Sequence, residues 1–335
     1  MARTALIIGG TGQIGRATAG LLELHGWDVT VAARTPAPDV LALDREDTDA
    51  LLRAARGRDL VLDAVAYTPA HAAQLSRLAG EVGSLVVIST ASVYADDEGR
   101  YLDVAGERGF PVYPVPVTEQ QPTVEADAQT YSPLKAAMER VLLATEGLPV
   151  SILRPGAIHG PHTGFLREWF FIKRVLDGRP HTVLAFDGAS RFDTSATANI
   201  AELARLCAER PGRRALNASD GVGPTVAEIG ATVFAHLDHD AALVALPGPP
   251  REDGPGGSPW GVPSPFVQSM ARARDDLGFE PVPYAETIGP AIDWMVDAVR
   301  GRDWTTAFPK YLDRYGAETW FPYDAEDEFV AGMRT

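Results

Sequence analysis

Short apolar runs alternate with longer amphipathic stretches over the first 90 residues of the chain. Four of the apolar runs predict strands, at residues 4–9, 27–33, 60–65 and 84–89. They lack a polar face, which is typical of strands that are buried on both sides. Three amphipathic stretches predict the intervening helices, at residues 14–25, 47–56 and 71–82. This alternation predicts a parallel sheet with helices on both faces.

The alternation stops between residues 95 and 129, where glycine, proline and charged residues dominate. The segment is too long for a simple connection, so we expect a surface excursion near the active site. A helix that carries Tyr131 and Lys135 follows, and then a strand at residues 149–154. Beyond this strand the pattern is less regular, and the stretch at residues 247–265 predicts a long loop.

These elements predict an α/β fold with a Rossmann-type doubly wound parallel sheet and a smaller C-terminal substrate-binding region. We assign residues 1–160 to the dinucleotide-binding domain, including the excursion at 95–129. Residues 161–335 are expected to bind mainly substrate, with some segments returning to the Rossmann core. The C-terminal tail is dense in aromatic residues, and we expect it either to dock on the body of the protein or to form the subunit interface of a homodimer. These residues are Trp304, Phe308, Tyr311, Tyr315, Trp320, Phe321, Tyr323 and Phe329.

Glycines recur at every third position between the first predicted strand and the first predicted helix. Without side chains, such a turn lets the backbone approach a pyrophosphate, while the helix N-terminus supplies amide donors and a favourable dipole. The sequence therefore predicts dinucleotide binding by the turn that contains Gly9, Thr11, Gly12, Gln13, Ile14 and Gly15.

The residue after the second strand distinguishes the two nicotinamide cofactors. An acidic residue there would bind the ribose hydroxyls of NAD, but the chain has Arg34, which suits a 2′-phosphate. We therefore predict NADP, with NAD as the alternative, and Arg16 as a second contact. Asp44, at the end of a short apolar run, could accept a hydrogen bond from the adenine amino group. It is equally compatible with an ordinary loop or helix-capping aspartate.

Tyr131 and Lys135 are four residues apart and therefore lie on one face of the predicted helix. A lysine ammonium beside a phenol stabilises the tyrosinate and lowers the tyrosine pKa. Such a phenol can exchange a proton with an alcohol or ketone while a nicotinamide exchanges the hydride. Taken alone, the spacing also fits a core aromatic residue with a polar tip.

Four motifs in order resemble those of the extended short-chain dehydrogenase/reductases, a group that includes the NAD-dependent epimerase/dehydratases. They are the glycine turn at residues 9–15, Ser-Thr-Ala-Ser-Val-Tyr at 89–94, Tyr-Ser-Pro-Leu-Lys at 131–135 and Arg-Pro-Gly-Ala-Ile-His-Gly-Pro at 154–161. The resemblance implies that Thr90 holds the substrate oxygen and that Tyr131 is the general acid and base. It also implies that Lys135 binds the nicotinamide ribose and lowers the Tyr131 pKa.

Two positions depart from the pattern of relatives that act on nucleotide sugars. Ser92 stands where some dehydratases carry an additional acid, and Ala157 stands where relatives that bind nucleotide diphosphates commonly carry asparagine. Both departures count against a sugar-nucleotide dehydratase. Substrate-pocket candidates are residues 170–174, Arg191, His159 and His162. We expect no metal site, because the histidines lack further ligands at metal-binding spacing.

Composition excludes several other classes of protein. The formal net charge of −15 opposes a broad nucleic-acid surface, and the single cysteine, Cys207, excludes an intrachain disulfide and is expected in the core. The sequence has no stretch of about 18 apolar residues, so we expect a cytoplasmic protein with no membrane partner.

The leading interpretation is an oxidoreductase that transfers hydride between NADP(H) and a small-molecule carbonyl or alcohol. The first alternative is an epimerase that oxidises a sugar or sugar nucleotide transiently, or a dehydratase. The second is a non-catalytic dinucleotide sensor or RNA-binding scaffold, which the intact Tyr131 and Lys135 and the acidic charge oppose.

Overall fold

The structure of the protein, a computed structural model, describes residues 2–126, 129–316 and 319–333. Its strands, numbered in chain order, are β1 (Thr4–Ile8), β2 (Asp28–Ala33), β3 (Val40–Ala42), β4 (Leu60–Asp63), β5 (Leu85–Ile88), β6 (Val150–Pro155), β7 (Ala157–His159), β8 (His181–Leu184), β9 (Thr194–Ala196), β10 (Arg214–Ala218) and β11 (Ala242–Ala245). Seven of them form a parallel sheet in the order β10-β6-β5-β4-β1-β2-β3. The strand order reverses between β1 and β4, which is the position where ligands bind in doubly wound sheets.

The α-helices flank this sheet or form the C-terminal region. They are α1 (Gln13–Leu24), α2 (Thr48–Ala55), α3 (Pro69–Ser76), α4 (Ala105–Arg108), α5 (Tyr131–Ala144), α6 (Trp169–Leu176), α7 (Thr197–Glu209), α8 (Val226–His236), α9 (Ala271–Leu277), α10 (Tyr284–Thr287), α11 (Gly289–Ala298), α12 (Trp304–Ala307), α13 (Pro309–Tyr315) and α14 (Tyr323–Gly332). None of the helices within the described residues combines the length and the apolar surface that crossing a bilayer requires.

The predicted Rossmann-type fold class is confirmed, and most element boundaries differ from the prediction by one to three residues. The strand predicted at 60–65 ends early, at Asp63, because the Asp63 Oδ1 accepts the backbone N–H groups of Val65 and Ala66 and starts a turn. The helix predicted at 71–82 is shorter and begins earlier, with Pro69 in its first turn.

Alternating side chains of the strands divide the core into two apolar clusters, one on each face of the sheet. In β1, Ala5 and Ile7 pack with α1, α7 and α9, whereas Leu6 and Ile8 pack with α2, α3 and α5. Cys207 is fully buried in the first cluster, as the sequence predicts. The strands are buried on both faces, which explains why their sequences are continuously apolar.

The aromatic tail docks on the body of the protein. A third apolar cluster combines residues of α6, α8 and α11 with Phe308 and Tyr311 of the tail. Beneath the tail, the buried Arg174 donates a hydrogen bond to Glu326 at 2.7 Å and another to the Trp320 carbonyl at 2.9 Å. The Tyr315 side chain of the predicted aromatic set lies outside the described residues.

The excursion at 95–129 is held against the carboxyl edge of the sheet, and its residues 127 and 128 lie outside the described residues. Tyr113 donates its hydroxyl to the Tyr94 carbonyl at 2.9 Å, and the Val117 N–H donates to the Val267 carbonyl at 2.7 Å. The segment thereby places Leu102 and Asp103 beside the helix that begins at Tyr131.

Candidate active site

The backbone packs so tightly at the glycine positions of the turn that little room is left there for a side chain. Gly9 has φ +79°, and a Cβ atom at Gly15 would lie 2.5 Å from the Gly10 Cα and 2.6 Å from the Gly9 carbonyl oxygen. Only glycine therefore lets α1 approach the end of β1 this closely. The spacing seen in the sequence is explained by backbone packing as well as by access for a phosphate.

The N-terminus of α1 points its unpaired amides into this turn. Gly12 is its N-cap, no side chain caps the helix, and its first turn carries no acidic residue. The buried Oε1 of Gln13 also has no hydrogen-bond partner among the described residues. The backbone amides of α1 and the helix dipole form the kind of site that a pyrophosphate occupies. The residues present therefore fit a dinucleotide.

A cleft of about 650 Å³ extends from the glycine turn along the ends of β1, β2 and β3. Arg34 and Asp44, both exposed, line it beyond the turn, where the adenosine half of a dinucleotide would lie. Arg45 lines it too, but its guanidinium is buried and bonded to Asp63 at 3.0 Å and to Gln74. Arg34 is thus the more available cation for a 2′-phosphate.

Arg16 does not reach this cleft. Its Nε donates to the Thr11 carbonyl at 2.8 Å, and the side chain lines a separate apolar groove between α1 and α7. The predicted contact of Arg16 with the cofactor phosphate stays a prediction, and the side chain is bonded to the turn itself rather than lining the cleft.

Tyr131, Lys135 and Thr90 converge at the carboxyl ends of β4 and β5. Tyr131 and Thr90 both line a second pocket, and the Thr90 hydroxyl is close enough to Tyr131 to lower its pKa. The ammonium of Lys135 is buried and donates to the Ala66 carbonyl at 2.7 Å and to the Ile88 carbonyl at 2.8 Å. The helix spacing of the sequence thus places phenol and ammonium on one face, as expected.

The pKa values differ from the expectation that Lys135 lowers the Tyr131 pKa. Desolvation raises the pKa of Tyr131 above its usual value although the residue is 43% exposed, Tyr67 and Asp103 raise it further, and the Thr90 hydroxyl opposes them. Burial also lowers the pKa of Lys135 to about 8, although Asp63 and Glu139 oppose the change. The Lys135 ammonium is held by the two backbone carbonyls.

A chain of hydroxyl groups leads from Thr90 to the excursion. The Thr90 Oγ1 and the Ser92 Oγ are 3.0 Å apart, and the Ser92 Oγ and the Ser132 Oγ are also 3.0 Å apart. Asp103 accepts from both Ser132 groups, its Oγ at 2.8 Å and its backbone N–H at 2.7 Å. Because Thr130, the N-cap of α5, has no side-chain cap bond, Asp103 takes over this capping role and ties the hydroxyl chain to a carboxylate.

The second pocket encloses about 280 Å³ above the Tyr131 hydroxyl and has aromatic and cationic walls. Phe165 and Phe192 supply aromatic surface. Arg314 lies over the Phe165 ring at 4.4 Å, and Arg167 lies 5.3 Å from the same ring. The pocket therefore offers a proton donor at one side and guanidinium groups at another.

Several predicted pocket residues lie elsewhere. Phe170, Phe171 and Arg174 are buried beneath the tail, where they serve packing and the Glu326 ion pair. Arg191 donates to the Gly223 carbonyl at 3.1 Å and does not line the pocket, although its neighbour Phe192 does. The structure therefore does not bring residues 170–174 or Arg191 to this pocket, since apolar neighbours draw α6 into the core.

The two candidate histidines are separate from each other. His159 is buried and contacts Asp220 at 2.7 Å, while His162 packs against Trp294. Among the described ranges, no group of three or more histidine, cysteine or acidic side chains is placed to hold a metal ion.

Sequence reasoning missed several polar residues that the fold brings to these clefts or beside them, among them Ser132, Asp103, Arg314 and Lys310. Ser132 follows Tyr131 directly, and its adjacency to the motif was a usable signal. Asp103, Arg314 and Lys310 lie in the excursion and the tail, and their positions depend on long-range packing that no local pattern encodes.

Comparison with known proteins agrees with this architecture. Residues 5–218 match the NAD dependent epimerase/dehydratase family. A curated relative from Streptomyces sp, named 3-diazoavenalumate denitrifying reductase, is 30% identical over 198 residues. That alignment covers 52% of this chain and 62% of the relative, so the chain matches somewhat less than two thirds of the relative's length.

Solved structures share the fold at low sequence identity. UDP-N-acetylglucosamine 4-epimerase from Bacillus cereus superposes with a TM-score of 0.66 and 16% identity, covering 87% of this chain and 98% of the epimerase. The Bordetella bronchiseptica enzyme WbmG in complex with NAD gives a TM-score of 0.65 and 20% identity, with coverages of 96% and 97%. With the family match over most of the sheet, these findings show that the chain is an enzyme of the short-chain dehydrogenase/reductase type and belongs to the NAD-dependent epimerase/dehydratase family.

Proposed function

We propose that the protein is an NADP-dependent reductase that converts a small carbonyl compound to an alcohol. The observation that carries the proposal is that Tyr131 and Thr90 lie together at the wall of a pocket of about 280 Å³. A tyrosine phenol is protonated at neutral pH, as a proton donor to a carbonyl oxygen requires.

Each residue has a distinct role in the proposed reaction. A bound nicotinamide supplies the hydride. Tyr131 holds the proton that the substrate oxygen receives, and Thr90 positions that oxygen by a hydrogen bond. Lys135 lies one helical turn away and is placed to bind the cofactor ribose. Gly9, Thr11, Gly12, Gln13, Ile14 and Gly15 hold the pyrophosphate, and Asp44 lies at the adenine end.

Arg34 favours NADP over NAD in this proposal. It follows β2, is exposed and lines the cofactor cleft, at the place where NAD-binding members of such folds have a carboxylate for the ribose hydroxyls. Asp44 and Glu46 line the same cleft, and their negative charges oppose the binding of a 2′-phosphate, so the assay below compares NADPH with NADH.

The size of the pocket favours a small substrate over a nucleotide sugar. About 280 Å³ lies at the lower end of the range of pockets that hold drug-sized ligands. Ser92 is engaged in the hydroxyl chain and offers no additional acid for dehydration. The similarity to a curated reductase supports the same direction. We further propose that residues 161–335 contribute the outer wall of this pocket through Phe165, Arg167, Phe192 and Arg314.

A turnover assay with the purified protein tests the proposal. NADPH or NADH is mixed with a panel of small aldehydes and ketones, and in parallel NADP⁺ or NAD⁺ is mixed with UDP-glucose. We expect net NADPH consumption with at least one carbonyl compound and slower consumption of NADH. Tyr131→Phe should reduce turnover by about 10²- to 10⁴-fold while cofactor binding is retained. Isomerisation of the sugar nucleotide without net NADPH consumption would show an epimerase, and unchanged turnover by the variant would exclude the proton-transfer role.

A further inference from the structure

The C-terminal tail reaches the cofactor cleft. Lys310, in the first turn of α13, lines the same cleft as Gly9, Thr11 and Gly12, although some 300 residues separate them in the chain. Its side chain is exposed and forms no salt bridge with any residue of the described ranges. A surface lysine contributes to a defined binding site only where its backbone is held in place, and the packing of α13 meets this requirement.

Aromatic anchors on either side fix the position of Lys310. Phe308 and Tyr311 are 4% and 1% exposed and belong to the apolar cluster beneath the tail. With these neighbours buried, the intervening Lys310 points away from the core and toward the cleft. The ordering of this side chain is thus largely accomplished when the tail folds.

The glycine turn lacks a cation of its own. No lysine or arginine lies within residues 9–15, and the nearby Arg16 donates to the Thr11 carbonyl and lines a different groove. The backbone amides at the N-terminus of α1 are the hydrogen-bond donors that the glycine turn offers to a pyrophosphate, which carries two negative charges. A lysine that enters from the tail complements that charge.

The position of Arg314 indicates which phosphate Lys310 meets. Lys310 and Arg314 are spaced i, i+4 on one side of α13, and Arg314 lines the substrate pocket beside Tyr131. Lys310 therefore lies at the end of the cofactor cleft near the substrate, where the pyrophosphate belongs, and away from the adenosine end at Arg34. We propose that Lys310 binds the pyrophosphate of the dinucleotide, so that the tail and the glycine turn clamp it from two sides.

This inference rests on the proposed use of a dinucleotide, and nucleotide binding tests it without turnover. Dissociation constants are measured by calorimetry for NADPH, NADH, ADP-ribose and 2′,5′-ADP. The first three carry a pyrophosphate, while 2′,5′-ADP carries the 2′-phosphate and only a single 5′-phosphate in place of the pyrophosphate. Lys310→Ala should weaken the first three by a similar factor, about three- to tenfold, and weaken 2′,5′-ADP less.

Two further variants separate the contact from general charge effects. Lys310→Arg keeps the charge and should restore most of the affinity. Arg302→Ala removes one positive charge from an exposed residue of the tail that does not line the cleft, and it should bind all four ligands like the wild type. Selective loss of NADPH and 2′,5′-ADP affinity, or equal affinity of Lys310→Ala and wild type, would overturn the inference and leave the proposed function intact. A wild-type protein that binds none of the four would overturn both.

Discussion

The cofactor cleft and the substrate pocket are built in contrasting ways. The cleft is lined mainly by the ends of consecutive strands within residues 8–46, and Lys310 of the C-terminal tail also lines it. The pocket gathers residues from seven separated segments between Ser89 and Arg314. A cleft made from one stretch of chain keeps its shape through local backbone packing. A pocket assembled from distant segments depends on the docking of the excursion and the tail.

The largest loss of cofactor affinity is expected from a substitution in the glycine turn, where the backbone of α1 packs closely against the end of β1. Gly15→Ala would place a Cβ atom 2.5 Å from the Gly10 Cα, so α1 must move away from β1. We expect about a hundredfold loss of NADPH affinity and a loss of stability of about 1–3 kcal/mol. Calorimetric titration with NADPH and thermal unfolding measure the two changes.

Gly20→Ala is the matched control, since it lies in the same helix and a Cβ atom there would come within 4 Å of no described atom outside that helix. It should bind NADPH normally and gain up to about 1 kcal/mol of stability from the better helix propensity of alanine. Equal behaviour of the two variants would show that the turn tolerates side chains and that its glycines do not shape the cleft.

The second prediction concerns the long-range construction. Glu326→Ala leaves the Arg174 guanidinium buried without its carboxylate partner, which costs about 3–5 kcal/mol. Because the tail carries Lys310 and Arg314, we expect substrate turnover to fall more than the affinity of the cleft for 2′,5′-ADP. Thermal unfolding, turnover and ligand titration measure the three quantities.

A double variant sharpens this test. Arg174→Met combined with Glu326→Leu replaces both charges by apolar side chains and should recover much of the stability, because no unpaired charge remains buried. If the double variant is as unstable as Glu326→Ala, packing of the tail rather than the ion pair determines its docking.

The contrast also explains what the sequence could predict. The glycine turn, the Tyr131–Lys135 spacing and the position of Arg34 are local patterns, and the structure places them in or beside the two clefts as expected. Arg174 could not be recognised as a core residue, because its partner Glu326 is 152 positions away. The roles of Asp103 and Lys310 depend on where the excursion and the tail dock, which loop composition does not encode.

The third prediction concerns the Asp103 carboxylate, which caps α5 and ends the hydroxyl chain. Asp103→Asn keeps an acceptor for Ser132 but removes the charge, and charge-assisted hydrogen bonds are the stronger ones. We expect the melting temperature to change little and turnover to fall about five- to tenfold. Since Asp103 raises the pKa of Tyr131, the variant should also lower that pKa and shift any alkaline limb due to Tyr131 to lower pH. Turnover measured against pH would contradict the prediction if neither rate nor limb changed.

The smallest expected effect is a shift of one limb in the pH profile, and it concerns Lys135. Lys135 bonds to the Ala66 and Ile88 carbonyls, and burial lowers its pKa to about 8. The groups that face it are Asp63, Glu139 and Arg45, of which the carboxylates oppose the lowering and the guanidinium adds to it.

Because the folded pKa of Lys135 lies below its usual value of 10.5, the unfolded chain binds this proton more tightly, and the stability contributed by the group rises with pH between about 8 and 10.5.

Activity has the opposite trend, since the ammonium loses its charge above pH 8 while Tyr131, with its raised pKa, stays protonated. Turnover should therefore fall above pH 8 in the wild type. Lys135→Arg remains charged throughout this range and should lose that limb, at a lower maximal rate because the larger guanidinium must fit the same two carbonyls. A limb that persists at pH 8 in Lys135→Arg would assign the titration to another group and leave Lys135 with a purely structural contact.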